Sequence, residues 1–436
     1  METSDNPANT ETKLQRIAWL SEKDPQKQFN WLMHHFNEES LRECFHKLDK
    51  KKALGVDKVS KEQYQENLEE NITSLVTRMK TMSYRPGPVR EVLIPKEDGK
   101  MRPLGISNFE DKIIQAMTAQ ILEKIYEPIF IENSFGFRPG RSCHMAIKRL
   151  HHYLFQKEIE TVIDVDLKNF FGTIDHQLLK EILEIKIKDK KFIRYIVRMF
   201  KAGVLSKDDL KVNDEGVPQG SICSPILSNI FAHYAIDIWI QKTVKPCCKG
   251  RIEIFRYADD SVICCEFDTD AQRIKEALIK RMHRFKLELN QDKTKLVTFS
   301  KRRHREGKQQ GAFDFLGFTF YLGRSKRKVV IPKLKSRGKT MRNKLKKVNE
   351  WALRNRNRYK MMDIWKIFCL KLIGHLNYYG VSHNTKYVEI FMEKSVRILF
   401  KWLNRRSQKR SFTWERFQLF LKKWPLPKPC VMVKLF

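Results

Sequence analysis

Two β-rich runs, residues 252–257 and 261–267, meet at Tyr257-Ala258-Asp259-Asp260. Strands joined through so short a link run antiparallel, which fixes two adjacent carboxylates at one end of a hairpin. A third acid, Asp166, stands near the end of an earlier β-rich run, Thr161 to Leu167. Carboxylates gathered on neighbouring strands repel one another until a cation joins them. Magnesium takes a few carboxylates together with phosphates and water. Phosphoryl transfer to a 3′-hydroxyl uses two such ions about 3.5–4 Å apart. Taken alone the Y-x-D-D pattern is weak. Composition gives about 0.03 chance copies in a chain this long, and aspartate suits turns in any protein. Asp164 lies two residues before Asp166 on the same strand face, so it competes for the ligand's place.

A formal charge of +34 makes a compact chain repel itself, and a polyanionic partner offsets that repulsion. The charge is unevenly placed. From Tyr321 to Phe436 there are 31 lysines and arginines against 5 acids, a net of +26. Between Arg324 and Lys360 the only acid is Glu350. A solvated helix face usually carries both signs, so this one-sign excess points to phosphate contact. Nucleic acid is the expected partner, and a membrane is not. No run of about 18 apolar residues could span a bilayer, and the polar stretch Met1 to Glu11 suits neither a signal nor a transit peptide. Cys247-Cys248 and Cys264-Cys265 are adjacent pairs without zinc-ligand spacing. Reduced thiols in a cytoplasmic protein are expected.

Apolar spacing predicts helices over 12–50, 60–82, 110–128, 143–157, 176–201, 224–239 and 269–287. Strands are expected at 90–95 and 101–106, joined by a turn at Glu97-Asp98-Gly99-Lys100, and near 295–299 and 313–321. Residues 135–142 and 216–220 read as loops, and three amphipathic helices follow residue 321. This mixed order indicates an α+β fold with a largely antiparallel sheet.

Seven blocks accompany these elements. Ile94-Pro95-Lys96, Asp98-Gly99 and Arg102-Pro103-Leu104-Gly105-Ile106 form the first, and Ser134-Phe135-Gly136-Phe137-Arg138-Pro139 the second. Val165-Asp166-Leu167 comes next, with Phe170-Phe171 and Ile174-Asp175-His176. Gly216-Val217-Pro218-Gln219-Gly220-Ser221, with Ser224-Pro225, precedes the Tyr-Ala-Asp-Asp turn. Asn290 with Lys293-Thr294, and Phe315-Leu316-Gly317-Phe318, complete the order. In these blocks, and in Tyr378-Tyr379-Gly380 and Trp402-Leu403-Asn404-Arg405-Arg406 beyond them, the chain resembles the group II intron reverse transcriptases and maturases. The likeness runs from Leu14 to Pro429.

The resemblance implies a right-hand polymerase fold. Residues 1–85 would be an N-terminal extension and fingers helices, 86–320 the fingers and an antiparallel-sheet palm, and 321–436 a helical thumb or maturase domain. The implied activity is RNA-dependent DNA synthesis. A DNA or RNA primer is extended on an RNA template with deoxynucleoside triphosphates, using two Mg²⁺ ions or Mn²⁺ in their stead. The protein's own group II intron RNA is a further implied partner, bound to assist splicing. Asp166, Asp259 and Asp260 would be the catalytic metal carboxylates, with the backbone of Leu167 beside metal and triphosphate, and Asp164 a supporting acid. Lys96 and Arg102 would meet the nucleotide's phosphates, and Phe171 the 2′ position, where its ring excludes ribonucleotides. Gln219 and Gly220 would approach the base pair, and Lys293 the departing pyrophosphate. Arg138, the hairpin Phe315-Leu316-Gly317, and Lys333, Lys335, Arg337, Arg342, Arg354 and Arg358 would hold nucleic acid.

Two positions depart from the family's pattern: Gly172, where an acid is usual, and Lys58, where glycine usually follows Gly-Val-Asp. Many relatives continue into an H-N-H endonuclease. Nothing after Pro429 could hold its paired Cys and His ligands, so DNA cleavage is not expected. An intron-free reverse transcriptase of repair, phage defence or a CRISPR system would share the same blocks. A non-catalytic RNA-binding splicing factor would not need Asp166, Asp259 and Asp260 intact.

Overall fold

The computed structural model describes residues 10–95, 99, 101–206, 209–211, 215–217, 220–406 and 413–435. Lys96 and Gln219, both expected at the nucleotide, lie outside them.

Helices α1 (Thr10–Lys23), α2 (Glu38–Lys47), α3 (Lys61–Glu66) and α4 (Leu68–Lys80) open the chain. The strands β1 (Val89–Pro95) and β2 (Met101–Ile106) form a hairpin, followed by α5 (Phe109–Tyr126) and α6 (Cys143–Gln156). Then come β3 (Thr161–Val165), α7 (His176–Lys186), α8 (Lys190–Lys201), β4 (Val204–Ser206) and β5 (Asp209–Lys211). Helix α9 (Ser224–Ala232) continues through two π-helical turns into α10 (Lys245–Cys247). Next are β6 (Ile252–Tyr257), β7 (Asp260–Cys265), α11 (Asp268–Arg284), β8 (Lys295–Thr298) and α12 (Lys301–Arg305). Strands β9 (Ala312–Phe315), β10 (Phe318–Arg324) and β11 (Val330–Ser336) precede α13 (Gly338–Asn355), α14 (Met361–Tyr379), α15 (Thr385–Leu403) and α16 (Trp414–Lys423). The α+β reading holds, and no described helix is long and apolar enough to cross a membrane.

The central sheet has the order β6-β7-β3-β8 and is antiparallel throughout. Alternate residues of a strand face opposite sides, and here both sides are apolar. Ile163, Val165, Ile254 and Ile263 pack with α5, α9 and α11, whereas Val162, Phe255, Val262 and Cys264 pack with α6, β9–β11 and the C-terminal helices. The sheet is therefore clamped between two cores. A second sheet, β2-β1-β4-β5, contains one parallel pair, β1 with β4.

Several expected helices are broken, each for a local reason. The 12–50 stretch is interrupted after Lys23 at Asp24-Pro25, since proline lacks the N–H a helix interior needs. Asp189 divides 176–201. One of its oxygens caps α8 by accepting from Lys191 and Phe192 N–H (3.0 and 3.1 Å), and the other accepts from Leu32 N–H at 2.8 Å. The strand expected at 313–321 turns back on itself at Leu316 and Gly317, with φ of +51° and +78°. Beyond it, among the described residues, lie the unexpected strand β11 and four helices rather than three. The division expected between 320 and 321 falls inside β10.

Candidate active site

Val165 on β3 stands opposite Ser261 on β7. Asp166, one residue past β3, and Asp260, the first residue of β7, thus reach the same edge of the sheet. Asp259 occupies the two-residue link between Tyr257 and Asp260, which pair with each other. Its neighbour Ala258 has φ +56°, a left-handed conformation that costs an L-residue roughly 1–2 kcal/mol.

Buried residues brace that turn. The guanidinium of Arg256, 1% exposed, donates to both oxygens of Asp237 at 2.8 and 2.6 Å. It also donates to Asn229 Oδ1 and to the Ala258 carbonyl, each at 3.0 Å. Burial disfavours charge on Asp237, yet Arg256 and His233 hold its carboxyl below the usual range. Against the turn's backbone packs Gly136, whose carbonyl accepts from Asn229 Nδ2 at 2.6 Å. A Cβ on Gly136 would stand 2.9 Å from the Tyr257 carbonyl carbon and nearer still to Ala258 N. Arg256, Asp237 and Asn229 were not among the expected site residues.

Asp166 is held by the block Asn290-Lys293-Thr294. Asn290 N–H donates to its carbonyl at 2.8 Å, and its own N–H donates to Thr294 Oγ1 at 3.3 Å. Lys293 Nζ lies 3.0 Å from Asp166 Oδ2. Leu167 faces Leu289 in a bridge carried by Lys168 N–H to Glu288 O and Asn290 N–H to Asp166 O. Its own N–H and C=O take no part in that bridge.

The carboxylates line a cleft of about 440 Å³ with Lys293, Lys295 and Arg337. Burial, reinforced by Asp164, Asp259 and Asp166, pushes Asp260 up to about 7, although its Oδ2 accepts from Leu316 N–H at 3.2 Å. Asp259 reaches solvent at the cleft mouth, but the surrounding walls and then Asp166 still raise it, with Arg102 acting in the opposite sense. Asp164 rises to about 6 through burial and the charges of Asp314 and Asp166. Such a set favours a cation.

The other expected residues divide. Arg102 is exposed on β2, near enough for its charge to act on Asp259. Gly220, at φ +109°, brings its loop against β2, where a Cβ would lie 2.7 Å from the Gly105 carbonyl. Phe171 is half-buried with its ring edge-on to Phe137, centroids 6.4 Å apart, and Phe137 in turn leans on Tyr257. Leu316 and Gly317 form the hairpin tip that lines the cleft.

Arg138, expected at nucleic acid, is turned inward. It is 6% exposed, its guanidinium pairs with Glu127 at 2.8 Å, and it donates to the Ile131 and Ser134 carbonyls. Phe315, also expected at nucleic acid, is 1% exposed and packs in the core beneath the hairpin, at the wall of the cleft. Arg337 turns into the cleft, with Nε 2.8 Å from Asp314 Oδ2. Lys333 donates to the Arg324 carbonyl at 2.6 Å, and Lys335 lies over the Tyr321 ring. Arg342, Arg354 and Arg358 are exposed on or just after α13.

The family model for reverse transcriptase (RNA-dependent DNA polymerase) matches residues 94–320. The chain is 30% identical over 404 residues to the group II intron-encoded protein LtrA of Lactococcus lactis subsp. cremoris, an alignment covering 74% of this chain and 65% of that protein. It is 33% identical over 273 residues to Protein YkfC of Escherichia coli (strain K12), covering 56% and 71%. Over 162 residues it is 41% identical to an uncharacterized 91 kDa protein in a cob intron of Schizosaccharomyces pombe, covering 37% and 20%. The chain thus spans just under two thirds of the length of its first intron-encoded relative.

Proposed function

The chain belongs to the reverse transcriptase (RNA-dependent DNA polymerase) family and is related to group II intron-encoded proteins, and from that premise we propose that it extends a primer 3′-end on an RNA template with deoxynucleoside triphosphates. The observation that carries this reading is the meeting of Asp166, Asp259 and Asp260 at one sheet edge, beneath a hairpin that hydrogen-bonds to one of them. In this reading the central sheet is the palm, β1 and β2 belong to the fingers, and α13–α16 form the thumb.

The donor set suits magnesium. Mg²⁺ takes hard carboxylate oxygens and leaves room for substrate phosphates, and Asp259 and Asp260 are raised by burial and by their carboxylate neighbours, which a divalent cation would offset. Among the described residues no three such side chains converge as they stand. Asp166 is drawn to Lys293 and Asp260 to the Leu316 N–H, so sharing an ion requires the carboxylates to turn. Asp166, Asp259 and Asp260 would hold the metal, which when bound ionises the 3′-hydroxyl and steadies the triphosphate. The chain's own groups do the remainder. Arg102 offers a forked cation to phosphate oxygens. Lys293 Nζ, released from Asp166, can give a proton to departing pyrophosphate. The Phe171 ring blocks the 2′ position, and the Gly220 turn lets backbone approach the base pair.

Primer extension tests the reading. Asp259→Ala should abolish Mg²⁺-dependent synthesis while leaving RNA affinity within about threefold, and near-normal extension would refute the assignment. A second role, binding a group II intron RNA to assist splicing, is favoured by the charge of +26 from Tyr321 onward and by the exposure of Arg342, Arg354 and Arg358. Salt titration of binding to a folded group II intron and to an unrelated RNA of equal length tests it. Equal affinities would remove the splicing role and leave the polymerase.

A further inference from the structure

Away from the carboxylate cleft, two arginines share one pair of acceptors. Arg85 Nη1 donates to the Met82 and Tyr84 carbonyls at 2.9 and 3.1 Å, and Arg198 Nη1 donates to the same two at 2.9 and 3.0 Å. Two guanidiniums pinned in this way lie beside each other, where like charges repel. Arg194 stands one turn earlier on α8. Partial burial, then Arg85 and Arg194, hold Arg198 below the ordinary guanidinium range. Among the described residues no carboxylate ion pair reaches any of the three.

The rest of α8 extends the pattern. Phe192, Ile193, Tyr195, Ile196, Met199 and Phe200 are buried and fix its rotation, and the helix contains no acid. Its outer side carries Lys190, Lys191, Arg194, Arg198 and Lys201 in a row about 16 Å long. Beside it a cavity of about 580 Å³ between α7 and α8 is lined by Lys180, Lys190, Arg194 and Lys201. The acids bordering that cavity are already engaged, Glu184 with Lys180 at 3.7 Å and Asp175 with Lys286 at 2.6 Å.

Three guanidiniums held together with no counter-charge among the described residues suit an external anion. A single small anion would occupy only the Arg85–Arg198 fork, whereas a row of cations matches a chain of phosphates. We infer that Arg85, Arg194 and Arg198 form a phosphodiester site for RNA, continued along α8 by Lys190 and Lys191. It is separate from the carboxylate cleft and from the C-terminal basic helices, and does not depend on the splicing role proposed for the latter.

The test is the double variant Arg85→Glu/Arg194→Glu, which leaves Arg198 to secure the Met82 and Tyr84 carbonyls. Binding of the full chain to a structured RNA of several hundred nucleotides should weaken at least tenfold, and the slope of log affinity against log salt should fall by about 2. Lys249→Glu/Lys280→Glu, two exposed residues elsewhere, makes the same change in net charge and should alter the slope by less than half as much. Equal effects of the two pairs, or an unchanged slope in the first, would overturn the site. If the first pair lowers the melting temperature, Arg85→Gln/Arg194→Gln should still flatten the slope by about 1–2. Saturable binding of inorganic phosphate, lost in the double variant without any change in RNA affinity, would assign the fork to a free anion and overturn the RNA proposal.

Discussion

The backbone N–H of Leu316 donates to Asp260 Oδ2 at 3.2 Å, while the carbonyl of the same residue accepts from Tyr378 Oη at 2.9 Å. One hairpin residue thus joins a carboxylate of the cleft to α14. The tyrosine is itself positioned, because His144 Nε2 meets its carbonyl at 2.8 Å and its ring stacks on Phe318.

Removing the Tyr378 hydroxyl should slow the chemical step. A hydrogen bond of this kind contributes about 0.5–1.5 kcal/mol, which corresponds to roughly two- to tenfold in rate. Single-turnover extension with Tyr378→Phe should show that loss with primer-duplex affinity nearly unchanged. A weaker duplex with a normal rate would make Tyr378 part of the duplex grip instead.

Phe171→Ala should admit ribonucleotides by opening the space beside the sugar. Because the ring is half-buried against Phe137 and Phe170, a stability loss accompanies the change. Incorporation of both nucleotide types at matched concentration measures the effect. An unchanged ratio in a folded, active variant would place the sugar gate elsewhere.

Two glycines make a contrasting pair. Gly136→Ala drives a methyl into the Tyr257–Ala258 backbone and should lower extension more than tenfold by displacing Asp259. Gly374→Ala, within α14 with nothing inside 4 Å of the new methyl, should stabilise by about 0.5–1 kcal/mol. Comparable activity in the two variants would mean that the turn tolerates displacement.

His375 predicts a pH dependence. Its ring lies between Tyr379 and Phe391, at centroid distances of 4.7 and 3.7 Å, with neither nitrogen partnered among the described residues. Burial, aided by Lys344, pulls it from 6.5 down to about 3. Within that interval the unfolded chain binds the proton and the folded chain does not, so stability falls as pH drops below about 6.5. Thermal melts of His375→Phe between pH 7 and pH 4 should lose less than the parent. His35 and His151, both lowered to about 4, preserve part of the slope. Identical slopes would show that His375 is not buried neutral.

The sequence made the Tyr257–Asp260 turn legible because apolar runs of strand length flank it and because Asp166 ends a similar run. The family likeness then gave Asn290, Lys293 and Thr294 a place, and the structure gathers all three around Asp166. The support beneath was hidden. Arg256 sits in a strand among apolar residues, and Asp237, 19 positions earlier, carries no pattern that names it as the partner. Strand β11 is masked by its own charge, because the alternation of Leu334 with Lys333 and Lys335 lies inside the basic run from Arg324 to Lys360. Lys58 shows the reverse case, since its φ of +58° explains why glycine is usual there in the family it resembles.

Strand β10 has a further consequence. It pairs with β9 through Tyr321 and with β11 along its whole length, so one hydrogen-bonded ribbon carries the chain from the cleft to the C-terminal helices. A chimera crossing over at residue 320 would join halves of different ribbons and mismatch every rung of the ladder. Even a seam after Ser336 is not clean, because Arg337 N–H donates to the Gly317 carbonyl and its side chain pairs with Asp314. The exchangeable unit is the helical block together with the three strands that precede it, so a C-terminal graft from a relative has to bring its own hairpin tip, and with it the peptide that faces the recipient's Asp260.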